Sequence, residues 1–293
     1  MSRRQCLPRA CMLGLLLAAL ASACASAPPA ARPDALSRLP ALKGDYFPLH
    51  SRHVGRDYHV FVRLPTDYQA GAGRRYPVVY LLDGDSLFPL LAPTHLFLHY
   101  DEKLPEAIIV GIAYGGFEPG VSNFRDVDYN VPTTGQLPDR TRGGAAFQRF
   151  LSDELLPAVE ARFAADPARR VLLGQSRGGT FVLWNAQQMP DLFWGRIASN
   201  PGAGSGDPAF HADAHPAQST RGQVIVASGA RDSETRRHAA LAWTQAWRSR
   251  VDAPWSVALL PIENGTHAAS IGEVYRRAML ALFKDEIAGA GAR

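Results

Sequence analysis

Apolar segments that resemble β-strands alternate with helix-like segments along most of this 293-residue chain. Most of the strand-like segments are apolar at nearly every position, as strands covered on both faces are. Strands and helices in alternation favour a parallel sheet with helices on both faces. We therefore predict an α/β fold with a mostly parallel central sheet and no large lid domain. The strand-like segments are DYHVFVRLP, YPVVYLLDG, EAIIVGIAY, RRVLLGQS, GRIASN, GQVIVASGA and WSVALLPIE.

The segment GGAAFQRFLSDELLPAVEARF has clear helical spacing. Its large apolar residues recur every three or four positions, as one buried face of a helix requires. Pro157 lies inside the segment, where a proline is expected to bend the helix. The residues of the predicted buried face are Phe147, Phe150, Leu151, Leu155 and Val159.

The N-terminus is predicted to be an export signal. Arginines precede a short apolar core, Met12–Leu20, which is too short to span a bilayer. Two cleavage sites fit the residues that follow. LASAC resembles a bacterial lipoprotein signal in which Cys24 becomes the lipidated first residue, although Ala21 stands where leucine is commoner. Alternatively, Ala25–Ala27 supplies a small-x-small site for ordinary signal peptidase.

These observations predict three parts of the chain. Residues 1–24 form the signal peptide, residues 25–42 an Ala/Pro-rich linker, and residues 43–288 a catalytic domain. The expected location is the periplasm of a bacterium, either free or as an outer-membrane lipoprotein. Cys6 and Cys11 fall in the removed segment, so the mature fold has no pair of cysteines for a disulfide.

Charge and histidine spacing bear on two other classes of ligand. The net charge of +4 is mild and no basic run with interleaved aromatic residues is present, so nucleic acid is not an expected partner. Two pairs of histidines, His95 with His99 and His211 with His215, have the four-residue spacing that can bind a metal on a helix. No carboxylate motif accompanies either pair, and we expect no metal.

A serine stands between a strand-like and a helix-like segment in VLLGQSRGGTF. Gly174–Gly178 fits G-x-S-x-G, and in this position the motif predicts a nucleophile elbow, a sharp turn that projects the hydroxyl of Ser176. Glycines are expected at 174 and 178 because a Cβ would clash where the backbones crowd. Two other interpretations stay open. Ser176 could be a simple helix N-cap, and the loop could bind phosphate, although the required lysine is absent.

An elbow serine needs a base and an acid, which follow it in chain order with the histidine last. His267, in LLPIENGTHAAS, is the only histidine after the acid candidates and is the predicted base. VIVASGARDSE offers Asp232 and Glu234 at the end of a strand. Asp232 is favoured because it lies in the loop, and Glu234, in the first helical turn, is the alternative. Asp232 could instead cap that helix, and Glu234 could simply favour its positive N-terminal end.

The predicted oxyanion hole uses two backbone N–H donors. One is expected from Arg177, the residue after the nucleophile. The other is expected in the loop after an early strand, where LLDGDSLF places Gly84 and Asp85.

These residues and motifs, from about Tyr58 to Phe283, resemble the putative-esterase family of α/β-hydrolases. The family includes enterochelin (siderophore) esterases, feruloyl and acetyl-xylan esterases, S-formylglutathione hydrolase and mycolyltransferases. The resemblance implies the α/β-hydrolase fold and no metal or organic cofactor. It also implies that Ser176 is the nucleophile, His267 the base, and Asp85 and Arg177 the oxyanion donors. The chain departs from many relatives at Gln175, where they have His, and at Arg177, where they have small or apolar residues.

The stretch from Gly115 to Gly144 matches a part of the family that borders the active site. Arg125, Asp128 and Tyr129 are therefore candidate substrate contacts, as are Gly84 and Gln175 beside the predicted oxyanion hole and nucleophile. Alternatively, these residues and Asp126 hydrogen-bond to each other and hold the loop closed.

The predicted function is that of an exported serine carboxylesterase that acts on a small-molecule ester through an acyl-enzyme. A siderophore-type, aromatic or acetyl ester is implied by the family resemblance alone. Two alternatives stay open: an acyltransferase that uses the same residues, and a non-catalytic binding protein with a hydrolase fold.

Overall fold

One sheet of eight strands organises the residues that the computed structural model describes, which are 39–71, 73–131, 143–202, 205, 207, 210, 213–218 and 222–291. The strands are β1 (Gly44–Ser51), β2 (Arg56–Arg63), β3 (Tyr76–Leu81), β4 (Ile108–Ala113), β5 (Ala165–Gln175), β6 (Gly195–Ser199), β7 (Gly222–Gly229) and β8 (Trp255–Ile262). Their spatial order is β1-β2-β4-β3-β5-β6-β7-β8. β2 is antiparallel to both neighbours, and every pair from β4 to β8 is parallel, which confirms the predicted α/β class.

Helices cover both faces of this sheet. They are α1 (Gly84–Glu102), α2 (Arg125–Asp128), α3 (Gly144–Arg149), α4 (Leu156–Arg162), α5 (Arg177–Gln188), α6 (Glu234–Arg248), α7 (Ile271–Leu282) and α8 (Lys284–Gly291). Side chains of α1 and α7 pack in one buried cluster with Val79 and Leu81 of β3. Side chains of α3 to α6 pack in the other cluster with Val78 and Tyr80 of the same strand. Alternate residues of one strand therefore enter opposite cores, as the pleat of a strand requires.

The predicted long helix is divided by a π-helical segment, Phe150–Leu155, between α3 and α4. A proline inside a helix clashes with the carbonyl four residues before it. For Pro157 that carbonyl belongs to Asp153, inside the π-helical segment, where wider hydrogen bonding gives the ring room. The five apolar residues of the predicted face are all fully buried.

Two of the predicted domain boundaries, at residues 42 and 288, fall within the described residues. The signal peptide, with Cys24, and most of the predicted linker lie outside the described residues. The last linker residues form a 3₁₀ turn, Pro40–Leu42, directly before β1. At the other end α8 continues to Gly291, three residues past the predicted domain limit at 288. Within the described residues, no helix is both long and apolar enough to cross a bilayer.

Candidate active site

Ser176 occupies the sharp turn between β5 and α5. Its backbone dihedrals are φ 58° and ψ −116°, a conformation that costs a residue with a side chain about 1–3 kcal/mol. Its side chain makes no capping hydrogen bond to α5, so the N-cap interpretation does not describe it. The carbonyl of Ser176 instead accepts backbone hydrogen bonds from Thr180 (3.0 Å) and Gly202 (3.1 Å), which hold the strained turn in place.

Two of the three glycines around Ser176 are required by close backbone packing. A Cβ on Gly174 would lie 2.3 Å from the carbonyl oxygen of Gly178, and one on Gly179 would lie 2.9 Å from that of Ser199. A Cβ on Gly178 would meet nothing nearer than 3.5 Å. The expectation of a clash at 178 was therefore wrong, and the crowding falls on 174 and 179.

The structure brings Ser176, His267 and Asp232 together at the carboxyl ends of the parallel strands. Ser176 Oγ lies 2.9 Å from His267 Nε2, and His267 Nδ1 lies 2.7 Å from Asp232 Oδ2. Both distances are those of hydrogen bonds, so the three side chains form a continuous chain from hydroxyl to carboxylate.

Asp232 is held firmly behind the histidine. Its side chain is only 3% exposed, and its second oxygen, Oδ1, accepts from the Ser233 N–H (2.7 Å) and from Arg236 Nη1 (3.3 Å). Burial alone would raise the pKa of this carboxyl, but the hydrogen bonds from His267 and Ser233 and the charge of Arg236 outweigh it. The pKa of Asp232 therefore lies below its ordinary value, and the group is ionised at neutral pH.

The other acid candidate, Glu234, lies apart from this chain of hydrogen bonds. It is the first residue of α6, and its side chain is 76% exposed. Its Oε1 lies 3.7 Å from Nε2 of His238, one helical turn later. The structure thus pairs Glu234 with a surface histidine and not with His267.

The loop that carries His267 is fixed by side chains from two other strand ends. The His267 carbonyl accepts from Nε2 of Gln175 and from Nδ2 of Asn200, the latter at 3.0 Å. Asn200 Oδ1 also accepts the Gly229 N–H at 2.7 Å, which ties the same residue to the end of β7. Gln175 was predicted to contact substrate, and Asn200 was not among the predicted site residues. The only signal for Asn200 was its position at the end of the strand-like segment GRIASN.

Asp85 and Arg177 supply backbone N–H groups at the starts of α1 and α5. Among the described residues, neither N–H has a protein acceptor. The Asp85 carboxylate is otherwise engaged, because it accepts the N–H groups of Tyr114 (2.8 Å) and Gly115 (2.7 Å). The Arg177 side chain pairs with Asp126 at 3.1 Å. The backbone N–H groups of Asp85 and Arg177 are thus available to a ligand oxygen.

Two cavities meet at Ser176. The arginine cavity, of about 310 Å³, is lined by Arg125, Arg177 and Arg236 as well as Ser176. The histidine cavity, of about 340 Å³, is lined by His267, Asp85 and Phe117, again with Ser176. A third, the apolar cavity, has about 320 Å³. Most of its lining residues are apolar or glycine, and Asp85 is the exception; they are Leu42, Phe61, Gly84, Asp85, Phe88, Pro89, Gly115, Gly116 and Phe117.

Arg125 lines both cavities that meet at Ser176. It makes a two-pronged ion pair with Asp83, from Nε to Oδ1 (2.9 Å) and from Nη2 to Oδ2 (3.2 Å). Tyr129 also borders the arginine cavity, and its hydroxyl accepts the N–H of Asp83 at 3.1 Å. Both residues therefore anchor the start of α1, which carries the Asp85 N–H, and they also face the cavity.

The structure places two of the candidate substrate contacts differently from Arg125 and Tyr129. Asp128 is fully buried and lines none of the three cavities. It accepts from Arg56 and from the hydroxyls of Tyr58 (2.6 Å) and Tyr114 (3.1 Å), and burial raises its pKa. Gly84 lines the apolar cavity, and a Cβ there would meet the Ile112 backbone nitrogen at 2.6 Å, so close packing also requires a glycine.

The histidine pairs have other partners in the structure. Buried His95 contacts the Tyr275 hydroxyl (2.8 Å) and the Pro105 carbonyl (3.1 Å), and burial lowers its pKa to about 4. His99 contacts the Leu104 carbonyl at 2.8 Å. His211 lies outside the described residues.

Comparison with known proteins supplies the family. The model of the family described as "Putative esterase" matches residues 51–270, which is most of the chain and contains Ser176, Asp232 and His267. The chain belongs to this family. The match confirms the resemblance seen in the sequence.

Three related proteins illustrate the similarity. Ferri-bacillibactin esterase BesA of Bacillus subtilis is 36% identical over 168 residues, covering 52% of this chain and 56% of that protein. Apo-salmochelin esterase of Escherichia coli is 29% identical over 159 residues, covering 52% and 48%. The match thus spans about half the length of these relatives. The crystal structure of an IroE-like serine hydrolase from Shewanella oneidensis superposes with a TM-score of 0.69 at 22% identity, over 82% of this chain and 80% of that one, and supports the fold.

Proposed function

We propose that this chain is an exported serine carboxylesterase. The observation that carries the proposal is the hydrogen-bonded chain Ser176–His267–Asp232, with distances of 2.9 and 2.7 Å, at a strained turn between two cavities. A serine hydroxyl activated by a hydrogen-bonded histidine–carboxylate pair is the arrangement that attacks acyl carbons. Membership of an esterase family supports the same reaction.

In the proposed reaction, Ser176 Oγ attacks the ester carbonyl carbon while its proton passes to His267 Nε2. The carbonyl π electrons move to the oxygen, and the resulting oxyanion accepts the N–H groups of Asp85 and Arg177. The tetrahedral intermediate then collapses, the bond to the alcohol oxygen breaks, and His267 gives its proton to that oxygen. Water, deprotonated by His267, releases the acid from Ser176 by the same steps.

Asp232 has a positioning and electrostatic role in this scheme. By accepting the Nδ1–H of His267, it keeps Nε2 unprotonated and directed at Ser176 Oγ. Its negative charge stabilises the imidazolium that forms during the attack. Asp232 stays ionised throughout the reaction and takes up no proton, because its pKa lies below its ordinary value.

We propose a siderophore-type ester as the natural substrate. The relatives at 36% and 29% identity are named for ferri-bacillibactin and apo-salmochelin, and three arginines line the cavity beside Ser176. Guanidinium groups favour polar or anionic ligand groups. Hydrolysis rates over catecholate-lactone, feruloyl and p-nitrophenyl esters test this assignment; a preference for feruloyl or acetyl esters would contradict it.

Replacement of the nucleophile tests the reaction itself. Ser176→Ala removes the attacking oxygen, and kcat on p-nitrophenyl acetate is expected to fall by several orders of magnitude with the fold retained. Ser249→Ala is the matched control, because Ser249 is exposed at the end of α6. Retention of more than about a tenth of wild-type kcat in purified Ser176→Ala protein would refute the assignment.

We also propose a location at the periplasmic side of a bacterial envelope. The basic residues, the short apolar core and the LASAC sequence before an Ala/Pro-rich linker support export with Cys24 as a lipidated N-terminus.

A further inference from the structure

We propose that the apolar cavity is the subsite for an uncharged alkyl or aryl group on the alcohol side of the ester. This inference rests on the proposed ester hydrolysis at Ser176. The apolar cavity has about 320 Å³, enough for a short alkyl chain or one aromatic ring, and its walls include four large apolar side chains, those of Leu42, Phe61, Phe88 and Phe117.

The apolar cavity adjoins the cavity that contains the site of attack. Phe117 and Asp85 line both the apolar cavity and the histidine cavity, and the histidine cavity also contains Ser176 and His267. An ester whose carbonyl oxygen accepts the Asp85 N–H can therefore extend past Phe117 into the apolar cavity.

Proton transfer determines which side of the ester points that way. His267 must give its proton to the departing alcohol oxygen, so that oxygen faces His267 Nε2. His267 lines the histidine cavity and does not line the arginine cavity. The alcohol group therefore extends through the histidine cavity towards the apolar cavity, and the acyl group lies on the side of the arginine cavity.

Charge selects the chemistry of the group that enters. Among the described residues that line the apolar cavity, Asp85 is the one with a charged side chain. Both of its carboxylate oxygens accept backbone N–H groups, from Tyr114 and Gly115, and an ionised carboxylate has no proton to donate to a ligand. The Asp85 carboxylate repels an anionic group in the apolar cavity, and no cationic residue lines this cavity among the described residues to offset the lost hydration. An uncharged apolar group has no such desolvation cost.

Phe117, which lines both the apolar and the histidine cavities, is a source of favourable binding free energy. Phe117 is 71% exposed in the structure, so most of its ring is in contact with water. An alkyl or aryl group seated in the apolar cavity covers this ring and leaves water itself, and both changes favour binding.

Two isomeric esters test the proposal. Hexyl acetate and ethyl hexanoate have the same atoms and leaving alcohols of nearly equal acidity, but the long chain lies on the alcohol side only in hexyl acetate. Wild-type enzyme is expected to have the higher kcat/KM on hexyl acetate. Leu42 lines the apolar cavity but not the histidine cavity, so Leu42→Trp narrows the apolar cavity alone. It is expected to lower the hexyl acetate to ethyl hexanoate ratio about fifteenfold, since each of two displaced methylenes is worth about a factor of four.

Val121→Trp is the matched control. Val121 is 67% exposed in the same loop as Phe117 and lines none of the three cavities, so the ratio is expected to stay at its wild-type value. Leu42→Ala, which removes apolar contact without added bulk, is the second variant if the tryptophan disturbs folding, and it should lower the ratio about fourfold. A ratio unchanged by folded Leu42 variants, or changed equally by Val121→Trp, would overturn the subsite.

Binding without chemistry separates the two proposals. Titration of 1-hexanol into Ser176→Ala protein, followed by NMR, reads occupancy of the cavity alone. Binding that Leu42→Trp weakens and Val121→Trp does not supports the subsite even if wild-type protein hydrolyses no ester, in which case only the proposed function fails. Equal binding by all three proteins would overturn the subsite.

Discussion

Replacing Asp232 with Asn separates the two acid candidates. The substitution keeps the size of the side chain and removes a negative charge that lies 2.7 Å from His267 Nδ1. Glu234→Gln removes an equal charge two residues later, from a side chain that is 76% exposed and pairs with His238. Any general effect of one lost charge near α6 is common to both variants.

The expected cost of Asp232→Asn follows from Coulomb's law. Unit charges about 4 Å apart interact by about 4 kcal/mol at an effective dielectric of about 20. The carboxylate is almost fully buried, but the histidine is 32% exposed, and solvent at that ring reduces the interaction to about 3 kcal/mol. This charge stabilises the imidazolium only after proton transfer, so its loss slows kcat about a hundredfold or more. An amide that donates to Nδ1 would also impose the wrong tautomer and add to the loss.

The assay is kcat on p-nitrophenyl acetate with a melting temperature for each variant. Asp232→Asn is expected to lose about a hundredfold or more in kcat, while Glu234→Gln stays within about twofold of wild type. A large loss in Glu234→Gln alone would make Glu234 the acid. No loss in either variant would mean that Ser176 and His267 work without a carboxylate.

Three further predictions concern packing, acid stability and processing. Gly174→Ala places a Cβ 2.3 Å from the Gly178 carbonyl oxygen and is expected to lower the free energy of unfolding by about 1–3 kcal/mol in urea titrations. Gly178→Ala, whose Cβ meets nothing nearer than 3.5 Å, is expected to change it by no more than about 0.5 kcal/mol. Equal losses in the two variants would refute the crowding at Gly174. Because the pKa of Asp232 is lowered in the folded state, its contribution to stability is present above its ordinary pKa and is lost as the pH falls through the folded value. The free energy of unfolding of wild type is therefore expected to fall more steeply below about pH 4 than that of Asp232→Asn. Parallel curves of unfolding free energy against pH for the two proteins would contradict this. Mass spectrometry of the native N-terminus is expected to find a lipid-modified Cys24, and an unmodified chain that starts at Pro28 would exclude lipidation.

Much of this fold could be predicted because its signals are local. β3, β4, β6 and β7 and the second half of β5 are short apolar segments bounded by Gly, Pro or polar residues, and the serine between β5 and α5 stands out among glycines. β1 was not predicted, because it is an edge strand with few buried residues and carries Pro48. Its place in the sheet depends on pairing with β2, which no local pattern reveals.

The site was less predictable where a side chain's role depends on distant partners. Asp232 and Glu234 differ by two positions in sequence, yet one is buried behind His267 and the other faces solvent. Asp128 looked like a surface contact in a polar loop, but it is buried by Arg56 and two tyrosine hydroxyls from other elements. Asn200 links three strand ends through its amide, and only the assembled sheet reveals that function.

Labelling with a fluorophosphonate is the most direct measurement of the central claim, that Ser176 is an activated nucleophile. Trypsin cleaves after Arg170 and Arg177 and releases the peptide VLLGQSR, in which Ser176 is the only serine. We expect a phosphonylated Val171–Arg177 peptide in wild-type protein and none in folded His267→Ala protein, because the hydroxyl then has no base. An unlabelled peptide from folded wild-type protein, or a label that falls on another serine, would contradict it.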